Sequence, residues 1–385
     1  MANVEKLLHG SSDGVDLLKK LDLLPNEEKV LKTAKAKVRD HLKKVIGEAT
    51  KSRLGRTITP RFFTQGSDKY KTLNRPAWLP PQRMDLDDGV YLPLTFMKNA
   101  KPSEAASIFF AIVDAALQEL ITREGWKGFE AKPTCARVII DDTAHIDVPL
   151  YAIPDEEFTK LTKATLDAMM AADSFDFMQS RIDRLDSWDV LPSDKVLLAH
   201  REEDWKASDP RQVHEWFLDG IEDYGERLRR ECRYLKAWRD HHRLNHISSI
   251  ILMVCAWTVF EEVGQLHIPK RDDLMLVKIA ERLRDLYAQP IPNPTDPDEM
   301  LGAKWTAEER TAAIKAAAAI HEEINMAVHH CYLPEVAVKH MQTIFGARIP
   351  ERTDLVSVKS AAAATVAAAP VVYVPAPEVG RSKSG

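Results

Sequence analysis

Met84-Asp85-Leu86-Asp87-Asp88-Gly89-Val90-Tyr91-Leu92 alternates apolar and acidic side chains before ending in an apolar run, which predicts a strand running into or out of a turn. On a strand, residues two apart share a face, so the Asp85 and Asp87 carboxylates are expected side by side. Two such carboxylates repel unless a cation lies between them, and short oxygen-only ligands suit magnesium. Eighteen residues earlier, Gln65-Gly66-Ser67 offers a turn whose backbone N–H groups can approach a phosphate with no Cβ in the way. Sixty residues after Asp87, a third carboxylate, Asp147, interrupts the apolar strand His145-Ile146-Asp147-Val148-Pro149-Leu150. A lone carboxylate there is costly to bury without a partner. Paired with a Lys or Arg it is a strand end; beside Asp85 and Asp87 it completes a cation site.

Around this centre the first half of the chain mixes strands and helices. A helix from Pro25 to about Thr50 is predicted by the stripe Val30, Leu31, Ala34, Val38, Leu42, Val45 and Ile46, with Glu27 and Glu28 in its first turn. A second helix is expected at about 103–123, and a hairpin at 136–150 that turns through Asp141-Asp142-Thr143. From about Asp155 the pattern is helical: 156–172, 210–239, 248–263, 272–288, 306–330 and 334–345. The change of regime predicts an α+β architecture with a catalytic lobe at 1–154, a helical lobe at 155–350, and a flexible Ala- and Pro-rich tail at 351–385.

The 385 residues include 45% hydrophobic and 29% charged residues, a globular composition that excludes a disordered or collagen-like chain. Lys+Arg 53 against Asp+Glu 58 gives a net charge of −5, so nucleic-acid or nucleotide contact has to be local. Between Lys29 and Arg61, eleven Lys/Arg stand against two acidic residues, either a solvated helix face or a surface turned to a polyanion. Four dispersed cysteines and an N-terminus without an apolar core point to a reducing compartment, the cytoplasm. The longest apolar run, 250–260, is far below the roughly 20 residues that cross a bilayer, so no membrane contact is expected. His241, His242 and His246, and His329, His330 and Cys331, do not form a four-ligand zinc pattern, and no G-x-x-x-x-G-K-[ST] or G-x-S-x-G string is present.

Gln65-Gly66-Ser67, the string Pro81-Gln82-Arg83-Met84-Asp85-Leu86-Asp87-Asp88-Gly89-Val90-Tyr91 and His145-Ile146-Asp147-Val148-Pro149-Leu150-Tyr151-Ala152 together resemble the bacterial cGAS/DncV-like nucleotidyltransferases, in their cyclic GMP-AMP synthase branch. The strings 204–210 (DWKASDP) and 233–240 (RYLKAWRD) extend the resemblance over roughly residues 25 to 350. It implies a polymerase-β-like catalytic lobe with a mixed sheet, a helical lobe, and a triphosphate site in the cleft between them. Asp85, Asp87 and Asp147 would be catalytic and would hold two Mg2+ ions; two metals about 4 Å apart can stabilise both the entering and leaving oxygens of an in-line displacement.

By the same resemblance, Gln65, Gly66, Ser67, Asp68, Lys69 and Tyr70 wrap a triphosphate, with Tyr70 stacked on a base. Arg137, or a neighbour at the Ala136 position, would meet a phosphate. Lys236 would be the triphosphate lysine, while Arg229 and Arg233 on the same helix face read as phosphate contacts or as a solvated basic face. Ser249, behind Ser248 at a helix start, is an anion contact or an ordinary cap. Ser208 and Asp296 match base or ribose contacts, Asp296 being suited to guanine N1–H and N2–H. The implied activity joins ATP and GTP into 3′,3′-cyclic GMP-AMP, a second messenger in antiphage defence acting through a separate effector, with no requirement for nucleic acid. In such relatives a ubiquitin-like conjugating enzyme acts on the C-terminus, here Gly385. The alternatives are transfer to RNA ends or a small acceptor, and a catalytically inactive nucleotide sensor.

Overall fold

The computed structural model describes residues 1–97, 102–170, 188, 191–203 and 205–358. Its centre is a mixed sheet in the order Arg61–Gln65, Met84–Pro93, Ala144–Ile153, Cys135–Ile139, Gly128–Ala131, extended by Leu197–Leu198 and Lys206–Ala207. Met84–Pro93 and Ala144–Ile153 run parallel and the remaining pairs are antiparallel. Ala144–Ile153, flanked by strands on both sides, is buried along its whole length, whereas Met84–Pro93 leaves Asp85 and Asp87 partly open.

One face of the sheet packs on two helices. Pro25–Leu54 turns Leu31, Ala34, Val38, Leu42 and Ile46 inward, and Pro102–Glu124 contributes Phe109, Phe110, Val113, Leu117 and Leu120. The second helix contains an apolar stretch long enough to cross a membrane by length and composition, yet half of that stretch is buried in this core. The first helix ends where Gly55 takes a left-handed conformation (φ 67°).

On the same side, Asp88 is buried at 1% exposure. Arg39 grips it through Nε to Oδ2 and Nη2 to Oδ1, both 2.6 Å, and the Thr64 hydroxyl donates to Oδ1. Part of the basic stretch is thus an internal clamp between the long helix and the sheet. Lys32, Lys37 and Lys43 pair with Glu28, Glu124 and Asp40.

The expected helix at 210–239 is two helices, Pro210–Tyr224 and Glu226–His241. Gly225 between them sits at φ 75°, a conformation that breaks the α-helix and re-aims the second segment. The 306–330 segment is helical to Asn325 and then widens into a π turn at Met326–His330. An antiparallel hairpin, Ile291–Asn293 with Asp296–Leu301, occupies a region given no strand from sequence.

The chain ends also depart from expectation. Ala2, Val4, Leu7, Leu8, Leu17 and Leu21 belong to the core of the helical lobe, although 1–154 was assigned to the catalytic lobe. Ser357–Val358 pairs with Ala2–Asn3, and Leu355 and Val356 are buried, so the first residues of the expected tail are packed. The backbone hydrogen bonds of this strand pair supply an anchor that composition does not show. Residues 359–385, with Gly385, lie outside the described residues.

Candidate active site

Register builds the site. Asp85 pairs directly with His145, Asp87 with Asp147, and Asp147 in turn with Arg137, across three adjacent strands. Directly paired residues project to the same face, so three carboxylates, an imidazole and a guanidinium share one patch while Leu86 and Asp88 point to the helix-packed side.

Each carboxylate has its own neighbour. Asp147 takes a two-pronged contact from Arg137, Nε to Oδ1 and Nη2 to Oδ2, both 2.7 Å. Asp85 Oδ1 lies 2.9 Å from His145 Nε2. Asp87 abuts Gly66, the first residue of the helical turn Gly66–Lys69. Gly66 has φ 67°, and a Cβ there would stand 3.0 Å from Asp87 Cγ and overlap Oδ2. Only glycine lets the backbone come this close.

These contacts split the electrostatics. Burial alone would raise the Asp85 carboxyl, but His145, with Arg137 and Lys236, holds it below the usual carboxylate range. Burial and then the charges of Asp85 and Asp147 push Asp87 well above that range. Asp85, His145 and Asp147 offer ligand atoms within 4.8 Å of one another. An oxygen-rich face with one carboxyl driven toward its neutral form by burial and then by its neighbours' negative charge fits a hard divalent cation, which would reverse that repulsion.

The opposite wall is the helix Glu226–His241. Its residues at i, i+4 and i+7 reach to the segment after the Gly66–Lys69 turn: Arg229 Nε donates to the Tyr70 carbonyl (3.0 Å), Arg233 Nε to Asn74 Oδ1 (2.8 Å), and Lys236 Nζ to the Thr72 carbonyl (2.6 Å). Arg229 and Arg233 are therefore a clasp between lobes and not a solvated face; Arg233 also bonds Asp22. Lys236 is buried, and desolvation followed by the Arg239 charge brings its ammonium down to about 8.

A cavity of about 410 Å³ lies between these walls, within the range of small-molecule sites. It brings together Ser67, Asp85, Arg137, Lys236 and Ser249 from the sequence-predicted set, with His145 added. Ser248 starts the helix Ser249–Val263 without a side-chain cap, and the Ser249 hydroxyl accepts from Arg239 Nη1 at 3.0 Å.

Other residues of the predicted set stand elsewhere. Gln65 donates to the Tyr151 hydroxyl. Lys69 Nζ lies over the Phe63 ring, and Asp68 lines a separate cleft with Lys35 and Arg233. Tyr70 stacks on His214 with ring centres 5.7 Å apart. Burial, then Lys69 and Arg229, lower the His214 imidazole to about 4, which keeps that platform neutral. Ser208 is exposed, its N–H bonded to the Val196 carbonyl, and Asp296 is exposed on the 291–301 hairpin with its carboxylate on the Asp298 N–H. Neither lines the cavity.

Sequence reasoning passed over His145, Asn74 and His214. The signal for His145 was present: His145-Ile146-Asp147 repeats the spacing of Asp85-Leu86-Asp87 on what proves to be the partner strand in register. Asn74 and His214 have no local signature, because their roles depend on which helix packs against which loop.

The model for the family "Cyclic GMP-AMP synthase DncV-like, nucleotidyltransferase domain" matches residues 60–151, and that for "Cyclic GMP-AMP synthase, C-terminal domain" matches residues 225–358. A cyclic GMP-AMP synthase of Escherichia coli strain TW11681 is 34% identical over 315 residues, 80% of this chain and 72% of that protein. One from Vibrio cholerae is 38% identical over 257 residues, 63% of this chain, a match spanning just 56% of that relative's length. Among solved structures, Vibrio cholerae DncV cyclic AMP-GMP synthase in complex with the linear intermediate 5′ pppA(3′,5′)pG superposes with a TM-score of 0.74 at 28% identity, covering 94% of this chain and 99% of the other. The 3′-deoxy GTP bound form of Escherichia coli DncV gives 0.72 at 25% identity, covering 93% and 100%.

Proposed function

This chain belongs to the DncV-like cyclic GMP-AMP synthase family, and from that premise we propose that it joins ATP and GTP into 3′,3′-cyclic GMP-AMP in a single cleft. The observation that carries the reading is the register of two parallel strands, which delivers Asp85, Asp87 and Asp147 to one face, with Asp85 lining the same cavity as Lys236. In each of two steps a ribose 3′-oxygen forms a bond to the α-phosphorus of the other nucleotide, the bond to the β-phosphate breaks, and pyrophosphate departs; the hydroxyl proton passes to solvent. The first step yields a linear dinucleotide, and the second closes it.

Asp85, Asp87 and Asp147 would hold magnesium, which supplies Lewis acidity toward the reacting oxygens and neutralises phosphate charge. Gly66 and Ser67 admit the phosphate chain close to the backbone, and Lys236 offers it a charge from the helical side. Arg229 and Arg233 fix the clasp on residues 70–74, so that the two walls meet the substrate as one body. Tyr70, already stacked on His214, extends that platform toward a base. Arg137 orients Asp147 in the free protein and is the arginine available to a phosphate once a cation takes over that carboxylate. Ser208 and Asp296 are assigned to base or ribose contact on the resemblance alone, as part of the same reading.

In its wider role the product is a cytoplasmic second messenger of antiphage defence that activates a separate effector. The test is incubation with radiolabelled ATP and GTP, magnesium and no added acceptor. A phosphatase-resistant labelled product supports the proposal; label that enters product only when RNA or a small acceptor is added refutes it.

A further inference from the structure

The cavity between the two walls meets the acidic face at one edge: of the three carboxylates, Asp85 lines it, while Asp87 and Asp147 do not. Four Arg and Lys side chains line it as well, those of Arg83, Arg137, Lys236 and Arg239. Three of them are engaged within the protein. Arg137 grips Asp147, Lys236 donates to the Thr72 carbonyl, and Arg239 holds Asp240 through Nε and Nη2 and the Ser249 hydroxyl through Nη1. Arg83 is the exception. Among the described residues it forms no hydrogen bond, ion pair or ring contact, and its Nε is buried without a partner. Glu130 and Asp142, whose carboxylates feel its charge, are paired with Lys132 and Lys127. A buried guanidinium N–H left unpaired is costly, and the Nε–Nη2 edge matches two oxygens of an oxyanion.

Position identifies the oxyanion. Arg83 stands two residues before Asp85, roughly 7 Å away in an extended chain, and Asp87 lies two residues beyond Asp85 on the other side. In the nucleotidyl-transfer reading the α-phosphorus sits among the three carboxylates. A group on the outer side of Asp85, in a cavity shared with Ser67, Lys236 and Ser249, then meets the phosphates beyond it. We propose that Arg83 is a substrate-binding residue, resting on that reading, whose guanidinium grips the β- and γ-phosphates of the nucleotide under attack. As the bond from the α-phosphorus to its bridging oxygen breaks, the electron pair leaves with pyrophosphate, and the Arg83 charge stands against the charge that gathers there. Arg83 precedes the strand Met84–Pro93 and Lys236 belongs to the helix Glu226–His241, so the polyphosphate is held from both walls.

The test is calorimetry on the full chain with Mg2+, using the α,β-methylene analogue of GTP and, separately, GMP, which carries no phosphate beyond the α. Arg83→Gln is expected to raise the Kd of the analogue about 10- to 100-fold and to leave that of GMP within about twofold. Arg83→Lys, which keeps the charge and loses the fork, should fall between Arg83→Gln and wild type. Without ligand, Arg83→Gln should melt within about 2 °C of wild type, because no internal partner is lost, while the rise in Tm given by inorganic pyrophosphate should shrink. Wild-type affinity for the analogue in Arg83→Gln overturns the inference, as does an undiminished pyrophosphate effect. An equal loss for the analogue and GMP also overturns it, since Arg83 then supports the pocket and not the outer phosphates. If the wild-type chain binds neither nucleotide, the nucleotidyl-transfer reading fails instead, and the two failures are told apart.

Discussion

Replacing Gly66 with alanine tests whether the position of Asp87 is what the turn protects. The substitution has two separable costs. Holding a residue with a Cβ at φ 67° costs about 1–2 kcal/mol of backbone strain. The new methyl would also overlap Asp87 Oδ2 and stand 3.0 Å from Cγ, so that carboxylate has to swing away. Gly55 provides the control: it has the same φ of 67°, but a Cβ there meets nothing within 4 Å. Gly55→Ala should lose about 1–2 kcal/mol of stability, a fall of a few degrees in Tm, with kcat near wild type. Gly66→Ala should lose comparable stability, yet kcat should fall by about 100-fold or more, because displacing a reacting group by about 1 Å costs that much. The assay is steady-state pyrophosphate release at saturating ATP, GTP and Mg2+, paired with thermal denaturation. A Gly66→Ala enzyme with kcat within threefold of Gly55→Ala would refute the account of the turn.

Further expectations concern the lysine, the buried clamp and base choice. Lys236 titrates near 8 in the free protein, and a triphosphate favours its charged form, so nucleotide binding should take up a proton around pH 8.5 and weaken as pH rises above about 8; calorimetry in two buffers of different ionisation heat shows this, and Lys236→Met should abolish the uptake. Arg39→Met leaves Asp88 buried and without its guanidinium, which should cost about 3–5 kcal/mol in denaturant unfolding; an unchanged midpoint would mean the clamp is dispensable. Asp296→Ala should lower GTP incorporation and raise the share of all-adenine product by mass spectrometry, and an unchanged ratio removes Asp296 from base selection.

What the sequence revealed and what it hid follow from the range of the forces involved. Asp85 and Asp87 on one face need only the period of a strand, and the inward stripe from Leu31 to Ile46 needs only the period of a helix. The break at Gly225 was hidden because Asp223-Tyr224-Gly225-Glu226 lies between two strongly helical patterns, and one glycine is a small penalty unless its φ turns positive. The pairing of Ala2–Asn3 with Ser357–Val358 joins residues more than 350 apart and leaves no local trace. His145 became legible only when the parallel register placed it opposite Asp85. Lys236 was read from its helix face together with the family resemblance, while its partner Thr72 contributes a backbone carbonyl that no side-chain pattern encodes.

Mass spectrometry of the phosphatase-resistant product formed from ATP, GTP and magnesium tests the central claim most directly. The account predicts one species containing one adenosine, one guanosine and two phosphates with no free terminus, accompanied by two pyrophosphates per molecule, and its loss by orders of magnitude in the Asp85→Asn, Asp87→Asn double variant. A linear product as the end point, or the same cyclic product from the double variant at near wild-type rate, would contradict it.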